Sequence, residues 1–299
     1  MPGKKPSQSE RVESAQDVLS PAAERMPKAP EAGGTRARRG ARIDPRPELA
    51  RGLPAELEAL TQDPRVTVRR DGAPDSQGKC VLYWMQRAER GVDNHAVNLA
   101  VQVRNALGLP VVVYFAGISN FPHANLRHYA FLNQGLPDIE EDLAARNITF
   151  VMRRAPNESH TRLISDVQAA MVIGDENRMR EPERWRQQLA EEVRVPFRTV
   201  DTDVVVPSKL IEKAQYGAYT IRPRLYKLLP EYLVPYENPR AEHAWERPAG
   251  FEADSVHEDM TRGWKDFDRS VGPVAAWHGG DAHSAGAVGI VYDEAAAGV

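Results

Sequence analysis

From about residue 80 onward, short apolar runs alternate with amphipathic stretches. Cys80-Val-Leu-Tyr-Trp-Met85 is apolar throughout, which predicts a strand buried on both faces. Ala96, Leu99, Ala100, Val103 and Leu107 recur at helical spacing, with Asp93 placed to cap that helix and Gly108 to end it. Leu109–Phe115 predicts a second strand, followed by a helix with Leu126, Tyr129, Leu132 and Leu136 on one face. Asn147–Val151 predicts a third strand, then come a helix near 158–169 and a strand at Ala170–Ile173. A helix opened by Pro182 keeps Trp185, Leu189 and Val193 in register, and Pro196–Val200 is the last strand. Strands that alternate with helices imply βαβ units. The expected fold is α/β: a Rossmann-like open sheet of about five parallel strands with helices on both faces.

The flanks have a different texture. Residues 1–48 are rich in Pro, Gly, Ser and charge and nearly free of large apolar groups, so they read as a disordered N-terminal tail. Its cluster Arg36, Arg38, Arg39 and Arg42 is either a solvated linker or an arm that touches phosphates. Ser208–Gln215 looks helical, as does Tyr219–Leu233 with a break at Pro223. Beyond 236 the chain is weakly periodic. The expected division is a tail at 1–48, an α/β domain at 49–235, and an irregular C-terminal linker at 236–299.

Composition narrows the function classes. Across 299 residues the hydrophobic fraction is 41% and the charged fraction 27%, with a net charge of −3. Whole-chain charge therefore gives no support for nucleic-acid binding, and any such surface must be local. Cys80 is the single cysteine, which excludes an internal disulfide or a cysteine-based zinc site. No stretch approaches the roughly 18 apolar residues of a membrane span. The first residues carry no apolar leader. The expectation is a cytoplasmic protein with no membrane association.

Several familiar chemistries are absent: no G-x-x-x-x-G-K-[ST] loop, no G-x-G-x-x-G after the first strand, no H-E-x-x-H helix and no G-x-S-x-G elbow. No metal site and no catalytic residue is expected. Ligands of open parallel sheets bind beyond the carboxyl ends of strands. That directs attention to Gln86–Asn94, Gly174–Arg180 and Asp201–Val206. Trp84 is either a core aromatic or a ligand contact. Gln86 and Arg87 could orient a ligand or form a surface ion pair. Asp93-Asn94 suits a helix cap. Asp201 and Asp203 could serve acid–base or metal chemistry, or the loop and cap chemistry of a helix near Ser208. Arg127 and Arg180 read as ion-pair partners.

A set of ordered motifs sharpens this reading. Tyr83-Trp-Met-Gln-Arg87 with Arg90 and Asp93-Asn94 resembles the opening of the photolyase/cryptochrome superfamily, in the form found in class II DNA photolyases. Arg127–Leu132 with Gly135-Leu136, and Val172 with Asp175, Arg180 and Trp185, are similar to later motifs of that family. So are Val200-Asp201 through Pro207, Ala218–Arg224, and Asp268–Val271 with Pro273. The departures are Ala88, where the family usually has an acid, and His95, where class II members usually carry Trp.

The resemblance implies an antenna-type domain of a light-dependent DNA repair lyase. Its antenna would be a deazaflavin or folate, with Trp84, Gln86, Arg87, Asp93, Asn94, Asp175 and Asp201 as the expected cofactor-binding set. It further implies FAD and DNA bearing pyrimidine dimers as cofactor and partner of the family. Only about 25 residues follow the linker motif, so the FAD-binding helical half is expected to lie outside this chain, in a separate partner if anywhere. The alternative is a non-enzymatic antenna chromophore-binding module or an inactive fragment.

Overall fold

The computed structural model describes residues 55–280. The expected tail and its arginine cluster lie outside these residues. Six strands form one sheet: β1 (Val66–Arg70), β2 (Cys80–Met85), β3 (Val111–Gly117), β4 (Thr149–Arg154), β5 (Ala169–Asp175) and β6 (Phe197–Val200). Their order is β1-β6-β5-β2-β3-β4. β2 to β6 are mutually parallel, and β1 joins the β6 edge antiparallel. The five parallel strands are those the apolar runs predict.

Side-chain alternation splits the core in two. Val81, Tyr83 and Met85 of β2 face one cluster together with Val111, Val113 and Phe115 of β3. Cys80, Leu82 and Trp84 face the other, with Val112, Tyr114 and Ala116. The first cluster is covered by α1 (Ala55–Thr61), α2 (His95–Leu107) and α3 (Leu126–Ala145). The second is covered by α4 (His160–Asp166) and α5 (Arg180–Glu192), through Leu163 and Leu189. Because both faces are covered, β2, β3 and β5 are buried at every position, which is why they read as unbroken apolar runs.

β1 has no such run: Val-Thr-Val-Arg-Arg is half polar because it lies at an edge. Side chains hold it there. Arg69 pairs with Glu176 at 2.6 Å and Glu183 at 2.7 Å, and Arg198 of β6 reaches Asp71 at 2.8 Å.

Two helical expectations change. Ser208–Leu210 forms only a single 3-10 turn rather than a helix to Gln215. Asp201 Oδ2 accepts from both the N–H and the hydroxyl of Ser208 (2.9 and 2.6 Å), fixing a local turn. Conversely, α6 (Ala218–Tyr232) runs through Pro223 and Pro230. A proline removes one ladder bond; α6 has no fully buried residue, so water can satisfy the freed carbonyls.

The segment after 236 is irregular but not detached. Ala241 N–H donates to Arg146 C=O (2.8 Å), Asp254 N–H to Met152 C=O (2.8 Å), and Trp264 Nε1 to Ala155 C=O (3.1 Å). Trp245 enters one core cluster, and Val256, Met260 and Trp264 the other.

Candidate functional site

β2 is where the sheet switches direction: the chain builds outward to β3 on one side and to β5 on the other. Such switch points usually leave a ligand crevice. Here a side chain fills it. Asp175, at the end of β5, is fully buried. Its Oδ1 accepts from Tyr83 Oη (2.8 Å) and Thr202 Oγ1 (2.9 Å). Its Oδ2 accepts from the N–H groups of Gln86 and Arg87, each at 2.8 Å, and of Ala88 at 3.3 Å. One carboxylate thus ties the loop after β2 to β5 and to the loop after β6. Burial, then the Asp175 charge, hold the Tyr83 hydroxyl well above its ordinary pKa, so it stays a donor.

Asn94 finishes the scaffold. Its Oδ1 accepts from Ala96 and Val97 N–H (2.9 and 3.1 Å), and its Nδ2 donates to Ala88 C=O (2.9 Å). Asn94, not Asp93, is therefore the N-cap of α2. Asp93 takes a left-handed φ of 48° and donates its N–H to Asn238 Oδ1 (2.9 Å).

The open space lies one strand over. A cavity of ≈360 Å³ caps the carboxyl ends of β2 and β3. Trp84, Ala116 and Trp185 reach it from one side of the sheet, and Met85, Phe115 and Tyr129 from the other. The loop from Phe121 to Ala124 lines it as well. The lining is apolar and aromatic with a few polar groups, among them Gln86, Glu89, His123 and His128. Gln86 Oε1 is shielded from solvent and meets no donor among the described residues. That orphan acceptor calls for a ligand N–H or a water. Glu89 keeps solvent exposure, yet desolvation in the crevice and the Asp175 charge push its carboxyl above the usual range. Behind the cavity, Trp84 stacks on His160 with centroids 4.5 Å apart.

The expected site residues therefore separate. Trp84 and Gln86 line the cavity. Asp175 and Asn94 are fully buried scaffold. Arg87 pairs with Asp203 and donates to Asn177 Oδ1 (3.0 Å). Asp201 is engaged with Ser208. Arg127 and Arg180 form no ion pair among the described residues; Arg127 Nε reaches only Gly272 C=O, at 3.5 Å. Sequence reading missed the second wall, Phe121 to Tyr129 with Trp185 and Met260. Local periodicity cannot show which distant aromatics converge. Among the described residues no His/Cys/Asp/Glu group could hold a metal, and no helix is long and apolar enough to cross a membrane.

The chain resembles known proteins in sequence. The chain is 34% identical to the deoxyribodipyrimidine photo-lyase of Methanothermobacter thermautotrophicus over 163 residues, 54% of this chain and 36% of that protein. It is 27% identical to the enzyme of the same name from Potorous tridactylus, covering 75% of this chain and 43% of that one. The chain thus spans less than half the length of these curated relatives. A bacterial class III photolyase from Agrobacterium tumefaciens matches at a TM-score of 0.48 and 18% identity, over 62% of this chain and 38% of that one. The DNA photolyase sequence profile matches residues 81–242, from the start of β2 through Asp175 and its partners to the segment beyond α6, and the chain accordingly belongs to the DNA photolyase family.

Proposed function

We propose that this chain is the antenna-type part of a light-dependent DNA repair photolyase, holding a planar chromophore in the cavity over β2 and β3. The supporting observation is the orphan Gln86 Oε1 inside an aromatic cavity of ≈360 Å³. That volume falls in the range of small-molecule sites, which combine apolar walls with a few polar groups. A primary amide offers an acceptor beside a donor, which complements the C=O/N–H edge of a deazaflavin or a pterin. Trp84 and Trp185 would supply the stacking surface. The class II form rests on Tyr83–Arg87, and the proposed division keeps 49–235 as the domain and 236–299 as its linker.

The family's FAD does not fit here. Such a cofactor needs a cavity among packed helices. In the described residues the helices lie on the faces of the sheet. Flavin chemistry and dimer splitting would therefore belong to another polypeptide region. We assign α6 as the face that meets it, because this helix has no buried residue and exposes Tyr219 and Tyr226.

The test is a fluorescence and absorption titration with an 8-hydroxy-5-deazaflavin and with 5,10-methenyltetrahydrofolate. We expect one to bind with a shifted spectrum, and Gln86→Ala to weaken it about tenfold, the order of one lost hydrogen bond. Unchanged affinity in Gln86→Ala would remove the cavity assignment.

A further inference from the structure

A separate hollow of ≈460 Å³ opens at the carboxyl end of β6, between α1 and α2. It shares no lining residue with the cavity over β2 and β3. Leu60 of α1 and Leu99 of α2 give it an apolar wall, and Asp63, Arg65, His95 and Tyr236 a polar one. Leu60, Asp63 and Arg65 precede the residues that the DNA photolyase profile matches. The volume suits a small molecule rather than a bare ion.

The charges around this hollow lack their usual partners. Arg65 is 5% exposed and Arg146 3%, and a charge so deeply buried ordinarily takes a carboxylate. Instead, main-chain carbonyls accept from them and from Arg90: those of Asp201, Val204 and Val205 from Arg65, of Asp93 and Thr202 from Arg90, of Gly91 and Pro239 from Arg146. Arg65 has five N–H groups, and these bonds leave its Nε–H and one Nη2–H over. The nearby carboxylates are engaged elsewhere. Asp63 Oδ1 accepts from the Arg65 main-chain N–H (2.7 Å), and Asp201 Oδ2 from Ser208.

The Tyr236 hydroxyl is shielded from solvent and has no hydrogen-bond partner among the described residues. Burial lifts its pKa well above the ordinary value, against the pull of Arg65, Arg90 and Arg146; Asp93 opposes these three. The local field at this hydroxyl is therefore positive. His95 packs edge-on against the Tyr236 ring at 4.7 Å and stays neutral, because desolvation and then Arg65 lower its pKa to about 4. An orphan hydroxyl and guanidiniums without carboxylates are satisfied by the same thing, an anion whose oxygens only accept. Asp63, exposed and with Oδ2 in no hydrogen bond, asks for the opposite, a donor.

We propose that this hollow binds a small phosphate monoester, with its phosphate against Tyr236 Oη and the spare N–H groups of Arg65, its body along Leu60 and Leu99, and a donor group at its far end on Asp63. A nucleoside monophosphate with an amino-bearing base has all three parts; inorganic phosphate has only the first.

The experiment is calorimetric titration of the full chain with adenosine 5′-monophosphate, ribose 5-phosphate and inorganic phosphate. We expect affinity to fall in that order and raised salt to weaken all three. Tyr236→Phe removes a hydroxyl that bonds to nothing in the protein. It should weaken the nucleotide about tenfold, the order of one lost hydrogen bond to a charged group, while thermal stability holds or rises. His95→Trp should fill the hollow and abolish binding with the circular dichroism unchanged, and Asp63→Asn should narrow the gap between the nucleotide and ribose 5-phosphate. Unaltered nucleotide affinity in Tyr236→Phe overturns the proposal. So does inorganic phosphate binding as tightly as the nucleotide, or a single-stranded oligonucleotide binding where the mononucleotide does not.

Discussion

At the scale of single residues, Asp175 governs most. Five donors converge on its carboxylate. Asp175→Ala would strand buried hydroxyls and N–H groups, each costing roughly 1–3 kcal/mol. We expect urea denaturation to show a loss of at least about 3 kcal/mol. Asp175→Asn should cost less than half of that, because Tyr83 and Thr202 hydroxyls can turn to accept from the amide. A milder Ala than Asn variant would contradict this role. His95 gives a pH prediction. Desolvation, with Arg65 and Arg90 nearby, lowers its pKa from 6.5 to about 4. Below pH 6.5 the unfolded chain takes up the proton first, so stability is whole above that value and falls as pH drops toward 4. His160 leans the same way by burial; the shift at Glu89 acts in the opposite sense. Thermal melts of His95→Phe should show a shallower acid slope than the parent. Sequence alone marked Asp175 by its position after a strand, and Gln86 and Arg87 likewise; the bonds that join them were invisible, because the five donors come from two segments, 83–88 and Thr202, both far from Asp175 in the chain.

At the scale of elements, the loop after β2 is held against α3 at Gly91. A Cβ there would stand 2.3 Å from Asp142 Cβ and 3.1 Å from Leu143 N. Arg146 Nη1 also donates to Gly91 C=O (2.7 Å). Gly91→Ala must push the loop off the helix, and overpacking of this kind costs about 1–3 kcal/mol. We expect that loss in denaturation, with weaker ligand binding because Glu89 moves with the loop. Unaltered stability and binding would show that the loop is free to shift. The five parallel strands were legible in the sequence because two-sided burial writes itself as β-branched and aromatic runs. β1 was not: its place depends on pairing with β6 and on Arg69 reaching Glu176 and Glu183. The 3-10 turn at Ser208 and the uninterrupted α6 escaped because neither follows from helical periodicity: the Asp201 carboxylate decides one and solvent access the other.

At the scale of the whole molecule, the segments that follow β6 differ in how far they join the core. Residues 236–264 thread back over the sheet and add Trp245, Met260 and Trp264 to its cores, whereas α6 stays outside them. Helices of 15 residues are marginal when unsupported. Hydrogen exchange should therefore be faster in α6 than in α2 or α3, and should slow when the helical region of a photolyase relative is supplied in trans. Equal protection of α6 in the isolated chain would remove the case for a partner there. The alternation of elements was readable in advance, but the wrapping segment was not, because its contacts are single aromatics without a period. One feature of the core has a practical corollary. Cys80, the single cysteine of the chain, is fully buried, and burial pushes its thiol up to about 12. The native protein is thus chemically silent to thiol reagents at neutral pH. A cysteine placed at Trp277 or Tyr219 would be the sole reactive handle, and a dye there would report the segment around 277 or α6 without any background to engineer away.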